Sequence, residues 1–418
     1  MSHEVVIIGA GYAGLPAARR LARQVRADEV RVTVVTAFDD FVERPRLHQL
    51  SVGQDIAPMP LLRYLRGSGV HLNVASVTGI DLDAREVRTT DGRGRHGTVR
   101  YDTLVYALGS NIDVASVPGV AEHCATLIGS CAALDLRSRL IELAASAGSA
   151  ESAAPDALAD RRGVNTRRTV TVCGGGLTGI ETVAEIAAAF PELHTRLVGA
   201  GTHGGWLSDK GQRYLDHTFA ELGVAVVDQA RVTQVEPTHL ELADGWQLPF
   251  DLCVWAGGFS VPTLARRAGL AVNADDRALV DATLRSVSHH DVYVIGDAAA
   301  VAGSWGEQLA MGCRTGGFTG PRVADIIAAR LSGRDPKPFA YRYIHECISL
   351  GRRHGLVQFL NRDETPKDRI LTGRGAIMYK NATLNGAKLL FRHSGPVLAR
   401  RRSMIRSAVS SPATSDRP

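Results

Sequence analysis

Gly9, Gly11 and Gly14 follow the apolar run at residues 5–8 with the spacing G-x-G-x-x-G. That spacing suits the grip of a pyrophosphate. The first glycine turns the chain sharply off a strand. The second lets the backbone approach the anion, and the third lets a helix pack close to the strand. The helix start then offers free N–H groups and the positive end of its dipole. Gly174, Gly176 and Gly179 repeat the spacing after a second apolar run, Thr169–Cys173. One such hexapeptide is a weak signal. Two of them, each between a strand pattern and a helix pattern, predict two dinucleotide sites.

An acidic residue normally follows the third glycine by about 20 positions and binds the ribose hydroxyls. Neither unit has one: the first strand pattern ends at Thr36, the second near Gly199 and Ala200. Thr36 can still hydrogen-bond a ribose. The neutral end of the second unit leaves NADH and NADPH equally open. His203 and Arg196 stand near it in sequence as cations.

The elements that must position these loops are legible as two β-α-β units. Strand patterns at 5–8 and 30–36 flank a helix pattern at 15–25, and the arrangement returns at 169–173, 180–189 and 195–198. Residues 70–100 alternate apolar and polar, with the turn signal Asp91-Gly92, and read as a small antiparallel sheet inserted in the first domain. Residues 144–168 are rich in Ala and Ser and read as a surface linker; Pro336 and Pro338 mark another boundary. The expected fold class is α/β: two Rossmann-like dinucleotide-binding domains plus a small C-terminal α+β unit. The expected division is 1–115 with 285–335, then 116–284, then 336–395. A basic, disordered tail is expected at 396–418, and its arginine-rich stretch at 398–406 reads as a solvated helix.

Composition narrows the function classes. With 418 residues the chain exceeds one ordinary core. The net charge of +5 is almost all scattered arginine, with no basic stripe interleaved with aromatics, so no nucleic-acid partner is expected. The six cysteines form no C-x-x-C pair and have no metal-ligand spacing, so no metal and no disulfide framework are expected. The chain opens without a leader pattern, and no uncharged stretch reaches the ~20 residues of a membrane span. A cytoplasmic protein follows, touching a membrane at most peripherally.

Three further segments carry a family resemblance. Residues 103–110 (TLVYALGS) end a strand at Gly109, residues 252–259 (LCVWAGGF) form a second copy through Gly258, and residues 292–299 (VYVIGDAA) end a strand in Gly296-Asp297. With the two glycine loops, these resemble the landmarks of the two-dinucleotide-fold flavoproteins, the pyridine-nucleotide–disulfide oxidoreductase superfamily. The resemblance covers residues 4–330, and within it the chain is most similar to type II NADH dehydrogenase-like proteins. It implies FAD at the first loop, NAD(P)H at the second, and hydride transfer between them. It also implies that Asp297 binds the ribityl chain, that Gly296 passes close to the flavin, and that Arg44 and Pro45 of the 41–48 loop (FVERPRLH) lie along FAD. Thr178-Gly-Ile-Glu181 resembles the T-G-x-E of that group, placing Glu181 near the nicotinamide. An acid in a first helical turn also simply suits the dipole. For His48, a redox-centre role and plain packing stand side by side.

Departures from the family matter equally. Residues 37–70 contain no cysteine, which removes dithiol chemistry. The quinone motif A-Q-x-x-x-Q is not matched in residues 308–317 (QLAMGCRTGG). A quinone stays the leading acceptor on family grounds. The alternatives are a ferredoxin- or rubredoxin-type partner, a specialised small molecule, a sulfide:quinone reductase using Cys313 and Cys347, or a non-catalytic flavin sensor. Self-association into a homodimer is left open.

Overall fold

The computed structural model describes residues 2–147, 167–393, 401 and 403–405. The expected linker, apart from its ends, and nearly all of the expected tail lie outside them. Four helices matter below: α1 (Gly14–Gln24), α2 (Leu177–Ala189), α3 (Cys313–Leu331) and α4 (Gly373–His393).

The first domain is a five-stranded parallel sheet in the order Val292–Val294, Thr103–Tyr106, His3–Ile8, Val30–Thr36, Val70–Val74. Val5 to Ile8 are at most 1 % exposed, as strands covered on both faces must be. α1 packs on α3, with Gly320 so close that a methyl there would lie 2.2 Å from the Ala13 carbonyl oxygen. One expectation changes here. Val70–Val74 is the fifth parallel strand; the inserted antiparallel sheet comprises only Ser76–Asp81, Glu86–Thr90 and His96–Arg100. As an edge strand with one half-open face, Val70–Val74 keeps the alternation that suggested a hairpin.

The second domain repeats the plan with Val224–Val227, His194–Val198, Thr169–Cys173, Leu252–Trp255 and Cys124–Thr126, all parallel. The chain crosses between the domains in an antiparallel ribbon, Asn111–Ile112 against Phe259–Ser260. Val261, Leu264, Leu270, Ala278 and Leu284 already pack in the first domain's core. The return therefore comes at this ribbon, ahead of the expected residue 285.

The C-terminal unit is a three-stranded antiparallel sheet, His345–Ser349, Gly355–Leu360 and Pro366–Thr372, followed by α4. α4 reaches back across the first domain. Phe391 meets Tyr12 and Phe41 with ring centroids 5.5 and 5.2 Å away. Lys388 Nζ lies 2.7 Å from the buried Glu43 carboxylate, which Arg46 also holds at 3.0 Å. α4 is thereby strapped to the 41–46 loop.

Candidate functional site

Both glycine loops open into one cleft of about 1570 Å³. That exceeds the roughly 300–1,000 Å³ of an ordinary single-ligand pocket, so it suits two large ligands. The two loops are built alike. Gly9 (φ +98°) and Gly174 (φ +128°) turn where a methyl would strike the carbonyl oxygens of Ala107 at 2.3 Å and Ala256 at 2.6 Å. A methyl on Gly14 or Gly179 would meet the carbonyl oxygen of Gly9 or Gly174 at 1.9 or 1.8 Å. The middle glycines, Gly11 and Gly176, face open space, with nothing within 4 Å of where a methyl would sit. Each loop has the shape a pyrophosphate cradle needs, and the residues present fit a dinucleotide at each.

The walls between the cradles gather most of the other expected residues. Thr36, Arg44, Pro45, His48, Gly109, Gly258, Gly296, Asp297 and Glu181 all line the cleft. Asp297 is fixed from two sides: Ser110 Oγ donates to Oδ2 (2.6 Å) and the Gly312 N–H donates to Oδ1 (2.7 Å). Arg44 donates to the Ser110 carbonyl at 2.7 Å, which sets the loop against the same strand end.

Neither Arg196 nor His203 lines the cleft. Arg196 is 1 % exposed and donates to Thr171 Oγ1 (3.2 and 3.1 Å) and to the Pro249 carbonyl. His203 is pinned between Asp228 (2.9 Å) and Asp216 (2.8 Å). Gln308 also turns away, accepting from Asn273 and Arg277 at 3.2 Å each. In its place Met311, Cys313 and Arg314 form the cleft wall. Arg314 is held by Glu346 and Glu364, both at 3.1 Å.

Glu181 is the centre of a buried polar cluster that sequence spacing did not reveal. It is 5 % exposed; its Oε1 accepts from the Ser349 N–H (2.8 Å) and from Lys380 Nζ. Lys380 also donates to Ser349 Oγ at 3.1 Å and lines the cleft. A signal for it exists: Ala376, Lys380 and Leu384 recur every fourth residue on the buried face of α4, and one of them is charged.

His48 Nδ1 lies 3.6 Å from Glu181 Oε2, while Nε2 is buried without a hydrogen-bond partner. Burial pushes its pKa down to about 4, with Lys380 and Arg46 helping and Glu181 opposing. The ring is therefore neutral at pH 7, and this contact is no ion pair. A histidine whose folded pKa is depressed gives stability that is complete above its unfolded value of ~6.5 and is lost as pH falls towards 4. Roughly 3 kcal/mol should disappear over that window. Urea unfolding of the wild type and of His48→Phe at pH 7.5 and 4.5 checks this. A shared pH slope would show that His48 is not its source.

Cys313 and Cys347 both line the cleft, but burial pushes their thiols up to about 11 and about 12. Neither is a thiolate at neutral pH, so neither is an activated nucleophile. Among the described residues, no cluster of three or more potential ligands could hold a metal.

Residues 3–320 match the family described as pyridine nucleotide-disulphide oxidoreductase. An NADH dehydrogenase-like protein of Mycobacterium tuberculosis is 31 % identical over 327 residues, 75 % of this chain and 76 % of its own length. A type II NADH:quinone oxidoreductase of Haemophilus influenzae is 26 % identical over 391 residues, 86 % of this chain and 87 % of its own. The NDH2 structure from Plasmodium falciparum in complex with NADH shares the fold, with TM-score 0.77 at 14 % identity, covering 96 % of this chain and 99 % of its own. With both glycine loops in one cleft, the chain belongs to the pyridine nucleotide-disulphide oxidoreductase family, as an NAD(P)H oxidoreductase whose cofactors are FAD and NAD(P)H.

Proposed function

We propose that this chain oxidises NADH bound at the 174–179 loop, holds FAD at the 9–14 loop, and delivers the electrons to a quinone. The observation that carries the reading is the single cleft joining both cradles to a third wall made by the start of α3 and the C-terminal unit. The relatives named as NADH:quinone oxidoreductases support the acceptor. What FAD supplies when bound is a two-electron relay between nicotinamide and acceptor. The chain's residues supply placement. Gly11 and Gly176 leave room for the pyrophosphates. Asp297, anchored by Ser110 and Gly312, presents a fixed carboxylate for ribityl hydroxyls. Glu181 and Lys380 hold one wall rigid through a buried charge pair.

NADH is preferred over NADPH. Among the described residues that line the cleft beside the second loop (Leu177, Thr178, Ala200, Gly201, Thr202, Trp206) there is no lysine or arginine. A 2′-phosphate would lose water there without gaining a cation. The KM for NADPH should exceed that for NADH by about tenfold or more, some 1.4 kcal/mol. Anaerobic stopped-flow mixing with each nucleotide, followed by a naphthoquinone, tests both statements. If neither nucleotide bleaches the flavin, the reading fails; equal KM values would refute the preference.

Among the described residues, no helix is long and apolar enough to cross a membrane. α4 does turn Met378 and Leu389 outward, 72 % and 57 % exposed. That apolar edge supports peripheral contact with the bilayer that would hold the quinone.

A further inference from the structure

Arg88 and Arg267 differ from the arginines around them. Arg85, Arg95 and Arg100, in and beside the inserted sheet, each hold a carboxylate: Asp291 at 2.5 Å, Asp91 at 2.7 Å and Glu86 at 3.0 Å. Arg266 holds Asp276. The side chains of Arg88 and Arg267 have no hydrogen-bond or ion-pair partner among the described residues. Both line one small pocket of about 300 Å³. Arg88 comes from the strand Glu86–Thr90 and Arg267 from the short helix Leu264–Ala268, which packs against Ser76–Asp81. Thr78 adds a hydroxyl to the lining, and no carboxylate of the described residues joins it. Both arginines reach solvent, so a ligand can enter directly.

Arg88 has a prepared seat. Gly79 pairs with it across the strands, next to a register shift between Val77 and Gly79. A methyl on Gly79 would lie 2.8 Å from Arg88 Nε and 3.2 Å from its Cζ, so the guanidinium occupies the space a side chain would fill. Gly79 does not have the positive φ that calls for glycine; clearance for the guanidinium does.

Two like charges on one small pocket repel each other unless an anion joins them. Guanidinium forks match the paired oxygens of a phosphate. We propose that this pocket binds a phosphate group, free or as a small ester, through Arg88, Arg267 and Thr78. Its volume is at the small end of the roughly 300–1,000 Å³ of ligand pockets, which leaves room for little beyond the phosphate. The site lies apart from both glycine loops, so its anion is neither dinucleotide's pyrophosphate. It borders the main cleft through Thr78, Leu264 and Arg267. There the Ala75 N–H donates to the Thr36 carbonyl at 2.8 Å, which carries the chain past the end of Val30–Thr36. A phosphate held at this edge ties the inserted sheet to the segment returning from the second domain.

Calorimetric titration of the purified full chain with inorganic phosphate and with glycerol phosphate tests this. At least one of them should bind, at one site per chain. Arg88→Gln and Arg267→Gln should each weaken that binding by roughly tenfold or more, the loss of one charge-assisted contact. Arg100→Gln removes the same charge from the same sheet, but from an arginine already engaged by Glu86; affinity should stay within about twofold of wild type. All three are surface substitutions and should leave the urea midpoint unchanged, so weaker binding reports the site and not the fold. Tighter binding of the ester would make it the natural form; tighter binding of inorganic phosphate would favour the free ion. No binding of either anion up to about 10 mM would overturn the site. So would equal weakening by all three variants, the mark of diffuse positive charge, or weakening by none. The titration involves no electron transfer, so its outcome is independent of the NADH and quinone readings.

Discussion

Replacing Lys380 by methionine should destabilise the protein by roughly 3–5 kcal/mol, the usual cost of leaving one member of a buried ion pair alone. Lys380 is 7 % and Glu181 5 % exposed, so solvent screens neither. The lost amine would leave Glu181 with the Ser349 N–H as its remaining hydrogen-bond donor. The effect should be strongly non-additive. Glu181→Gln in the same chain removes the stranded charge, and the double variant should regain most of the loss. Urea unfolding of the two single variants and the double variant measures the coupling. A Lys380→Met cost below about 1 kcal/mol would mean that water reaches the pair.

Placing a valine at each of the two open glycines should separate the nucleotide sites. Gly11→Val puts a side chain into the first cradle, where an added methyl would have nothing within 4 Å, so the protein should fold yet purify colourless. FAD affinity should fall by roughly 100-fold or more, the equivalent of losing one or two charge-assisted hydrogen bonds to a pyrophosphate. Gly176→Val should keep the yellow flavin and raise the KM for NADH by a similar factor, with ferricyanide as acceptor. If the two variants exchanged phenotypes, the order of the sites along the chain would be reversed. If both kept normal affinities, neither loop would be a cradle.

What could be read from the sequence was whatever short covalent spacing enforces. The glycine loops are six-residue devices, and the strand end Gly296-Asp297 needs only its own backbone; the structure brings all three to one cleft. Lys380 was hidden because its partner is 199 residues away. Only the odd charge on an otherwise apolar helix face hinted at it. Arg196 and His203 stand near the second loop in sequence without lining the cleft. Nearness in sequence says nothing about side-chain direction, and alternate residues of a strand point to opposite faces. Arg196 turns into the sheet towards Thr171, and two aspartates hold His203. Residues 261–284 have no strong period, so the sequence does not show which domain they join. Their allegiance is decided by the core they pack against.

The crossing ribbon has a consequence for how the chain is made. The second domain's sheet is closed by one continuous stretch, from Cys124 to Trp255. The first domain's sheet keeps Thr103–Tyr106 as an open edge until Val292–Val294 arrives. During synthesis from the N-terminus, the inner domain can finish folding while the outer one still waits for its last strand. For that interval the ribosome carries an exposed, flat, apolar strand edge, which invites pairing with other chains. Nascent-chain aggregation should therefore peak at lengths just short of this strand and vanish once it has emerged.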